Sequence, residues 1–417
     1  MSNTFVGVLK YKNFSKLWVS QITSQVALHM LNFALVLHIY ELTHSNASIS
    51  LVLIASAIPS VIFGSFSGVM ADRLKFKNIL TYTNFLRFLA VLLLFVAKDN
   101  VLAVLEIIFI ISSITQFFAP AEMSSIPVIV PKEKLVSANS LTMTTMYITL
   151  IVGYSIAGPL LNVLTANGLF LLCCLLYLIA TWSTNSMSNY DKKEVQKISI
   201  STLAKDLENI WREMTVGIKS IRANRKVIDP IFKLAFGWMV LGAFIVLMPS
   251  FGEKVLHINP RYIGPAIIGP AGFGMLIGSY LVDKFKKLDL KKITKFSIML
   301  IGIALLLISF YKIYQDLSWS RPLNVFFIIM LGIGCSGVYI SAQTLIHLNS
   351  GSDERGKVFG LSTMLTNLAL SIPTLFVGGL ADLTSPFVAM LILSCLIILY
   401  GVYQFQRSRP KIELVAA

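Results

Sequence analysis

Twelve separate stretches of the chain are apolar for about 20 residues each, the length a helix needs to cross the hydrocarbon core of a bilayer. In the first half they cover 17–40, 48–70, 79–97, 101–118, 138–164 and 168–184. In the second half they cover 228–250, 262–282, 293–313, 322–345, 357–381 and 386–405. Only 13 % of the 417 residues are charged, against about 25 % in soluble domains. A chain with so few charges cannot cover a water-exposed surface of that size. An ordinary soluble enzyme, a disordered protein and a nucleic-acid partner are all excluded on that ground. The expected fold class is an all-α membrane protein of twelve transmembrane helices in two pseudo-symmetric six-helix halves. Its first partner is the lipid bilayer.

The net charge of +15 then reads as a topology. With the N-terminus inside, the inner tails and loops carry 28 of the 35 Lys and Arg residues, and the outer loops and helix ends carry five. Basic residues collect on the cytoplasmic side of a membrane protein. The chain is therefore expected in a cell inner (plasma) membrane, with both termini cytoplasmic. Cys173, Cys174, Cys335 and Cys395 lie in apolar runs, which argues against a disulfide framework or a zinc cluster.

The longest polar stretch divides the chain into an N-terminal half (1–184), a linker (185–227) and a C-terminal half (228–417). In the linker, Leu203, Leu207, Ile210, Trp211, Met214, Ile218 and Ile221 recur at helical spacing among bases. That pattern predicts an amphipathic helix on the inner membrane face. The halves echo each other. Gly68-Val69-Met70-Ala71-Asp72-Arg73 follows span two, and Gly278-Ser279-Tyr280-Leu281-Val282-Asp283-Lys284 follows span eight. Glu133-Lys134-Leu135-Val136 follows span four, and Glu354-Arg355-Gly356-Lys357-Val358 follows span ten. Repeats of six spans fit a transporter whose halves rock about a midplane site.

At these residues the chain resembles the major facilitator superfamily, whose loop between spans two and three has a Gly, an apolar pair and Asp-Arg. Further pieces resemble its bacterial macrolide-efflux and enterobactin-type siderophore exporters. They are Asn13-Phe14 with Leu17-Trp18, Glu41-Leu42-Thr43, Phe118-Ala119-Pro120-Ala121, Pro127 with Val130-Pro131, Leu135 with Ala138-Asn139, and Gly379-Leu380-Ala381-Asp382. The resemblance implies a conformational latch built from Gly68, Asp72, Arg73, Asp283 and Arg355. Gly68 would let two helices approach closely. Asp72 would accept backbone N–H groups at the start of span eleven, where the helix dipole favours an anion. Three positions depart from the exporter pattern. Ala27-Leu28 replaces a Gly-Asp in span one, Tyr154 replaces a Pro in span five, and span four has no Arg. The coupling mechanism is therefore open.

In this fold spans one, four, seven and ten line the cavity. Span one carries Gln21, Gln25, His29 and Asn32 on one helical face, readable as cavity lining or as interhelical hydrogen bonding. Gln116, Trp238, Ser336, Tyr339 and Gln343 complete the expected substrate-binding set. For proton coupling the candidates are Glu106, His29 and Arg87. Glu106 and Arg87 sit on successive helices at depths that differ by about 8 Å at 1.5 Å per residue, so a structural ion pair is the other reading. Asp229 and Lys233, four apart, read as an interfacial pair. The near match Gly351-Ser352-Asp353-Glu354-Arg355-Gly356-Lys357-Val358 to a phosphate loop lacks the Ser or Thr that binds Mg²⁺.

These residues predict a secondary active transporter exporting a hydrophobic or amphipathic small molecule, such as a drug, macrolide-like compound or siderophore, in exchange for protons. It would work as a monomer, without cofactor or metal. A lysophospholipid transporter or an importer of the same fold is the alternative within transport. A membrane-embedded enzyme or a sensor is the alternative outside it. The five His residues are scattered, which argues against the enzyme.

Overall fold

A computed structural model describes residues 7–188, 225–285, 289–350 and 355–406. The amphipathic linker helix expected within 189–224 lies outside the described residues. Helices α1 (Lys12–Thr43), α2 (Asn46–Arg73), α3 (Phe76–Ala97) and α4 (Val101–Ile129) come first. One helical stretch, Leu135–Asn185, then runs for 51 residues. At 1.5 Å per residue it would be about 77 Å long if straight, over twice the hydrocarbon thickness. It is not straight, because Thr165 has φ 61° and ψ 174°. A β-branched residue rarely takes that conformation, and the kink folds the stretch into α5 (135–164) and α6 (166–185).

The second half holds α7 (Arg225–Lys254), α8 (Gly269–Lys284), α9 (Leu290–Ser309), α10 (Ser320–Asn349), α11 (Arg355–Leu383) and α12 (Pro386–Gln406). A π-helical turn, Gly264–Ile268, leads into α8. Eleven helical segments are long and apolar enough to cross a membrane, and the kinked one supplies two crossings. Among the described residues the protein is all-helical, a multi-pass membrane protein with twelve spans.

Short polar side chains start several helices by taking orphaned N–H groups. Asn100 Oδ1 accepts from the Leu102 and Ala103 amides at α4. Asp289 Oδ1 accepts from the Lys291 amide at α9, and Ser45 Oγ from the Ser48 amide at α2. Prolines inside the spans, such as Pro59, Pro159 and Pro373, are tolerated because neighbouring helices re-satisfy the freed carbonyls.

The spans sort by burial. Helices α1, α7, α9 and α10 are the most enclosed. In contrast, α3, α6 and α12 expose rows such as Leu89, Leu92, Leu93 and Val96, then Leu171, Leu175, Leu178 and Trp182, then Ile392, Leu396, Leu399 and Tyr403. Large apolar rows at helical spacing on the outside of a bundle are lipid-facing surfaces. Within the first half, α1 packs on α5, α2 on α4, and α3 on α4 and α6. Within the second, α7 packs on α11, α8 on α10, and α9 on α10 and α12. The halves meet mainly along α2–α11 and along α5 with the turn before α8. Below, the end of the bundle carrying residues 12 and 406 is the terminal end and the opposite one the distal end.

Candidate functional site

Among the described residues Arg87 is the largest fully buried side chain. It sits halfway along α3 where four helices converge. Its NH1 donates to Asn84 Oδ1 at 3.4 Å, and Asn84 Nδ2 donates to Ser20 Oγ of α1 at 3.0 Å. The guanidinium lies over the Phe118 ring of α4 at 4.7 Å and 6.0 Å from the Tyr177 ring of α6, a cation–π arrangement. Nε and NH2 have no hydrogen-bond partner, and neither does Oε1 of the buried Glu122 on α4. Glu122 is the carboxylate in electrostatic contact with Arg87. The two are not within 4.0 Å as an ion pair.

The expected Arg87–Glu106 pair does not form, because Glu106 is exposed. Side-chain direction explains the difference. Cβ atoms tilt towards the N-terminus of their helix. On α3 that is the terminal end and on α4 the distal end. Arg87 and Glu122 therefore lean towards each other, whereas Glu106 leans away. Depth alone could not show this.

The polar row of α1 turns onto α5. Gln21 is buried and donates from Nε2 to the Thr142 carbonyl at 3.0 Å. It is enclosed between helices, not on a cavity wall. Gln25 Oε1 accepts from Thr149 Oγ1 at 3.0 Å. The His29 ring lies 5.6 Å from the Tyr154 ring, and its Nδ1 is buried without a partner. Asn32 faces the Tyr154 hydroxyl. Gln25, His29 and Asn32 stay half-buried. Ser336 is likewise buried, donating to the Ile333 carbonyl of its own helix at 3.0 Å and packed against Gly278 of α8. It too sits at a packing seam. Trp238, Tyr339 and Gln343 are each half-buried, and Gln343 lies one turn beyond Tyr339 on α10. The Trp238 and Tyr339 rings meet edge to face at 6.4 Å. The Tyr339 hydroxyl reaches Tyr147 of α5, joining the halves. Gln116 is half-buried on α4.

At the distal end the halves interlock through side chains that sequence reading had not selected. Asp382, at the end of α11, takes the N-terminus of α2. Oδ1 accepts from the Asn46 amide at 2.8 Å and Asn46 Nδ2 at 2.7 Å. Oδ2 accepts from Ser45 Oγ at 2.7 Å and the Ala47 amide at 3.0 Å. Around it, Ser250 Oγ donates to Asn46 Oδ1, Tyr40 Oη to Glu253 Oε2 at 2.7 Å, and Ser50 Oγ to the Thr374 carbonyl at 2.8 Å. Arg261 Nε donates to Glu41 Oε1 at 3.0 Å. A Cβ on Gly158 would collide with the Arg261 carbonyl oxygen, one on Gly264 with the Tyr154 carbonyl oxygen, and one on Gly378 with Asn46. These glycines permit the contact.

The terminal end differs. Around Gly68 no atom lies within 4 Å of where a Cβ would sit, so the close helix approach expected there is absent. The side chains of Asp72 and Arg355 lie outside the described residues. Arg73 is half-buried and Asp283 exposed, each with an interaction partner. Among the described residues, no three His, Cys, Asp or Glu side chains group to hold a metal.

The family model for the Major Facilitator Superfamily matches residues 17–374. The chain belongs to the major facilitator superfamily. Among curated relatives of this superfamily member, Macrolide efflux protein A of Streptococcus pyogenes is 25 % identical over 393 residues, 89 % of this chain and 91 % of the relative. The putative bacilysin exporter BacE of Bacillus subtilis is 24 % identical, covering 79 % of each chain. Among solved structures, the nucleoside transporter NupG superposes with a TM-score of 0.77 over 96 % of this chain and 100 % of that one, at 14 % identity. That likeness shows the fold alone. The major facilitator protein is a transporter of the efflux branch, and not an enzyme.

Two site features of this transporter went unselected in the sequence. Asp382 closes Gly378-Gly379-Leu380-Ala381-Asp382, the same Gly-x-x-Ala-Asp pattern as Gly68 to Asp72. That repeat was the available signal. Glu122 lies in an apolar span beside Ala119-Pro120-Ala121. It was legible as an intramembrane carboxylate, a functional candidate by default.

Proposed function

We propose that the protein is a secondary active exporter that moves a hydrophobic or amphipathic small molecule out of the cell in exchange for protons, by alternating access. The observation that carries this reading is the lock between the halves at the distal end. Asp382 caps α2 at the distal end, while the sequence offers Asp72, at the other end of α2, as the matching cap for α11. The two caps belong to opposite closures, so the halves have two stable arrangements. The 28-to-5 distribution of basic residues supports the terminal end as cytoplasmic. The conformation described is then the inward-open one, in which an exporter of a bacterial plasma membrane loads its substrate.

The names of the relatives favour an efflux substrate. The half-buried set of Gln25, His29, Asn32, Gln116, Trp238, Tyr339 and Gln343 contains no Asp, Glu, Lys or Arg and two large aromatics. That chemistry suits a bulky, weakly charged molecule such as a macrolide better than a small polar solute. Of the expected proton carriers, His29 keeps an unpartnered ring nitrogen, and Glu122 takes the place beside Arg87 expected of Glu106.

The test is an efflux screen in cells lacking their own pumps, run with macrolides, siderophores and lysophospholipids, followed by reconstitution in proteoliposomes. Gradient-dependent outward movement of at least one macrolide-like compound, lost in Asp72→Asn, is the expected result. Movement of lysophospholipid alone would establish the lipid-transporter alternative. No movement of any compound by the wild type removes the exporter reading.

A further inference from the structure

Two hollows on the C-terminal half share a rim. The first is a cleft of about 770 Å³ at the terminal end, between α7, α9, α10 and α12. Among the described residues, Arg225, Lys226, Lys233, Lys291 and Lys295 line it, with Asp229 as the one carboxylate. Lys233 Nζ holds Asp229 Oδ2 at 2.6 Å, which uses that carboxylate. Lys233 is only 3 % exposed and Lys295 only 8 %. Lys295 feels the like charges of Lys233 and Lys291 and the opposite charges of Asp289 and Asp229. Basic residues beside a membrane are ordinarily solvated, and their bias towards one side is a topology signal only. Here five bases converge on one cleft and two of them are enclosed, an excess of positive charge that suits an anionic headgroup.

The second hollow is a groove of about 630 Å³ between α7, α11 and α12, lined by apolar side chains including Phe236, Leu368, Ile372 and Tyr400. It shares Asp229, Phe232 and Gln404 with the cleft, so the two are continuous. Phe232, Ile372 and Tyr403 are exposed on the outside of the bundle, where lipid chains run. A small free anion has use for the cleft alone. A molecule with a phosphate at one end and a hydrocarbon chain at the other fills both.

We infer that this double hollow is a binding site for one anionic phospholipid, its phosphate in the basic cleft and an acyl chain along the groove. Headgroup capture by basic pockets between transmembrane helices is an established use of such charge, and the groove supplies apolar burial for the chain. The cleft joins α7, α9, α10 and α12, and the groove adds α11. A bound lipid therefore ties five of the six helices of this half together at the membrane interface. The inference does not rest on the export reading.

Full-length protein is purified in neutral detergent and titrated with phosphatidylglycerol, phosphatidylcholine, glycerol 3-phosphate and inorganic phosphate. Native mass spectrometry counts bound molecules, and the unfolding temperature reports protection. The expected result is one tightly held phosphatidylglycerol that raises the unfolding temperature, with no comparable effect from the other three. Lys291→Gln and Lys295→Gln each weaken retention roughly five-fold. Ala369→Trp, which fills the groove, weakens it without touching a charge. Lys233 is replaced only together with Asp229, as Lys233→Met with Asp229→Asn, so that no charge is left alone. Equal retention of phosphatidylcholine overturns the inference. So does protection by glycerol 3-phosphate or inorganic phosphate matching that of phosphatidylglycerol, which would make this a free-anion site. Unchanged binding in the lysine and tryptophan variants also overturns it.

Discussion

Asp382 acts on α2 through four hydrogen bonds, two from backbone amides of the first helical turn. A carboxylate at a helix N-terminus is worth up to about 2 kcal/mol in a partly buried setting. Asp382→Asn should therefore shift the balance between distal-closed and distal-open forms about 30-fold towards open. Spin labels on α2 and α11 near the distal end would report it as a longer distance population. Asp72→Asn should move the balance in the opposite sense, and equal shifts in the same direction would disprove the two-cap account. Glu122 belongs to the same scale. In a proton-coupled exporter with this carboxyl as the carrier, Glu122→Gln should abolish gradient-driven efflux while leaving substrate binding intact. Glu106→Gln, at an exposed position, should retain efflux. Full efflux in Glu122→Gln would return the role to His29. A buried charge left without an opposite charge nearby is costly, so Arg87→Met should unfold at lower temperature than Arg87→Met combined with Glu122→Gln.

Among the elements, α1 and α5 show most plainly how a polar row is used. Gln21, Gln25, His29 and Asn32 all turn onto α5, where Thr142, Thr149 and Tyr154 answer them. Hydrogen bonds between spans remove the cost of amides in hydrocarbon. The spacing of this row was legible in the sequence. Its partner was not, since any neighbouring helix or a water-filled cavity would satisfy the same four side chains. Helix α5 also carries Gly158, which lies under the loop bearing Arg261. A leucine there must displace that loop's backbone. Gly158→Leu should therefore open the distal end and speed alkylation of a cysteine placed at Ser250, which is buried in the wild type. Unchanged reactivity would show that the loop is not held by this approach. The α5–α6 break is a further element-level case. The apolar runs predicted two spans with 165–167 between them, and the structure turns at Thr165 without leaving helix for more than a residue.

For the whole molecule, the halves share contacts along α2–α11 and α5–α8, and side-chain hydrogen bonds reinforce them at the distal end. If the terminal end is cytoplasmic, single cysteines at Val163 and Leu317, both exposed, should react with a membrane-impermeant maleimide in intact cells. A cysteine at Lys134, in the loop after α4, should react only after lysis. The reverse pattern would invert the topology and make the described conformation outward-open.

The number and length of the spans, the two-half repeat and the basic asymmetry follow from local composition alone. Each span satisfies its own backbone and needs only enough apolar residues in a row to reach across the bilayer. What the intramembrane polar groups do was decided by tertiary structure. A side chain such as Gln21, Glu106, Glu122 or Asp382 takes its role from which neighbour its helix turns it towards. That depends on helix direction and rotation, which the length and hydropathy of a span do not record. Arg87 met Glu122, sixteen residues beyond Glu106 on the same helix, because antiparallel helices aim their side chains in opposite directions along the membrane normal.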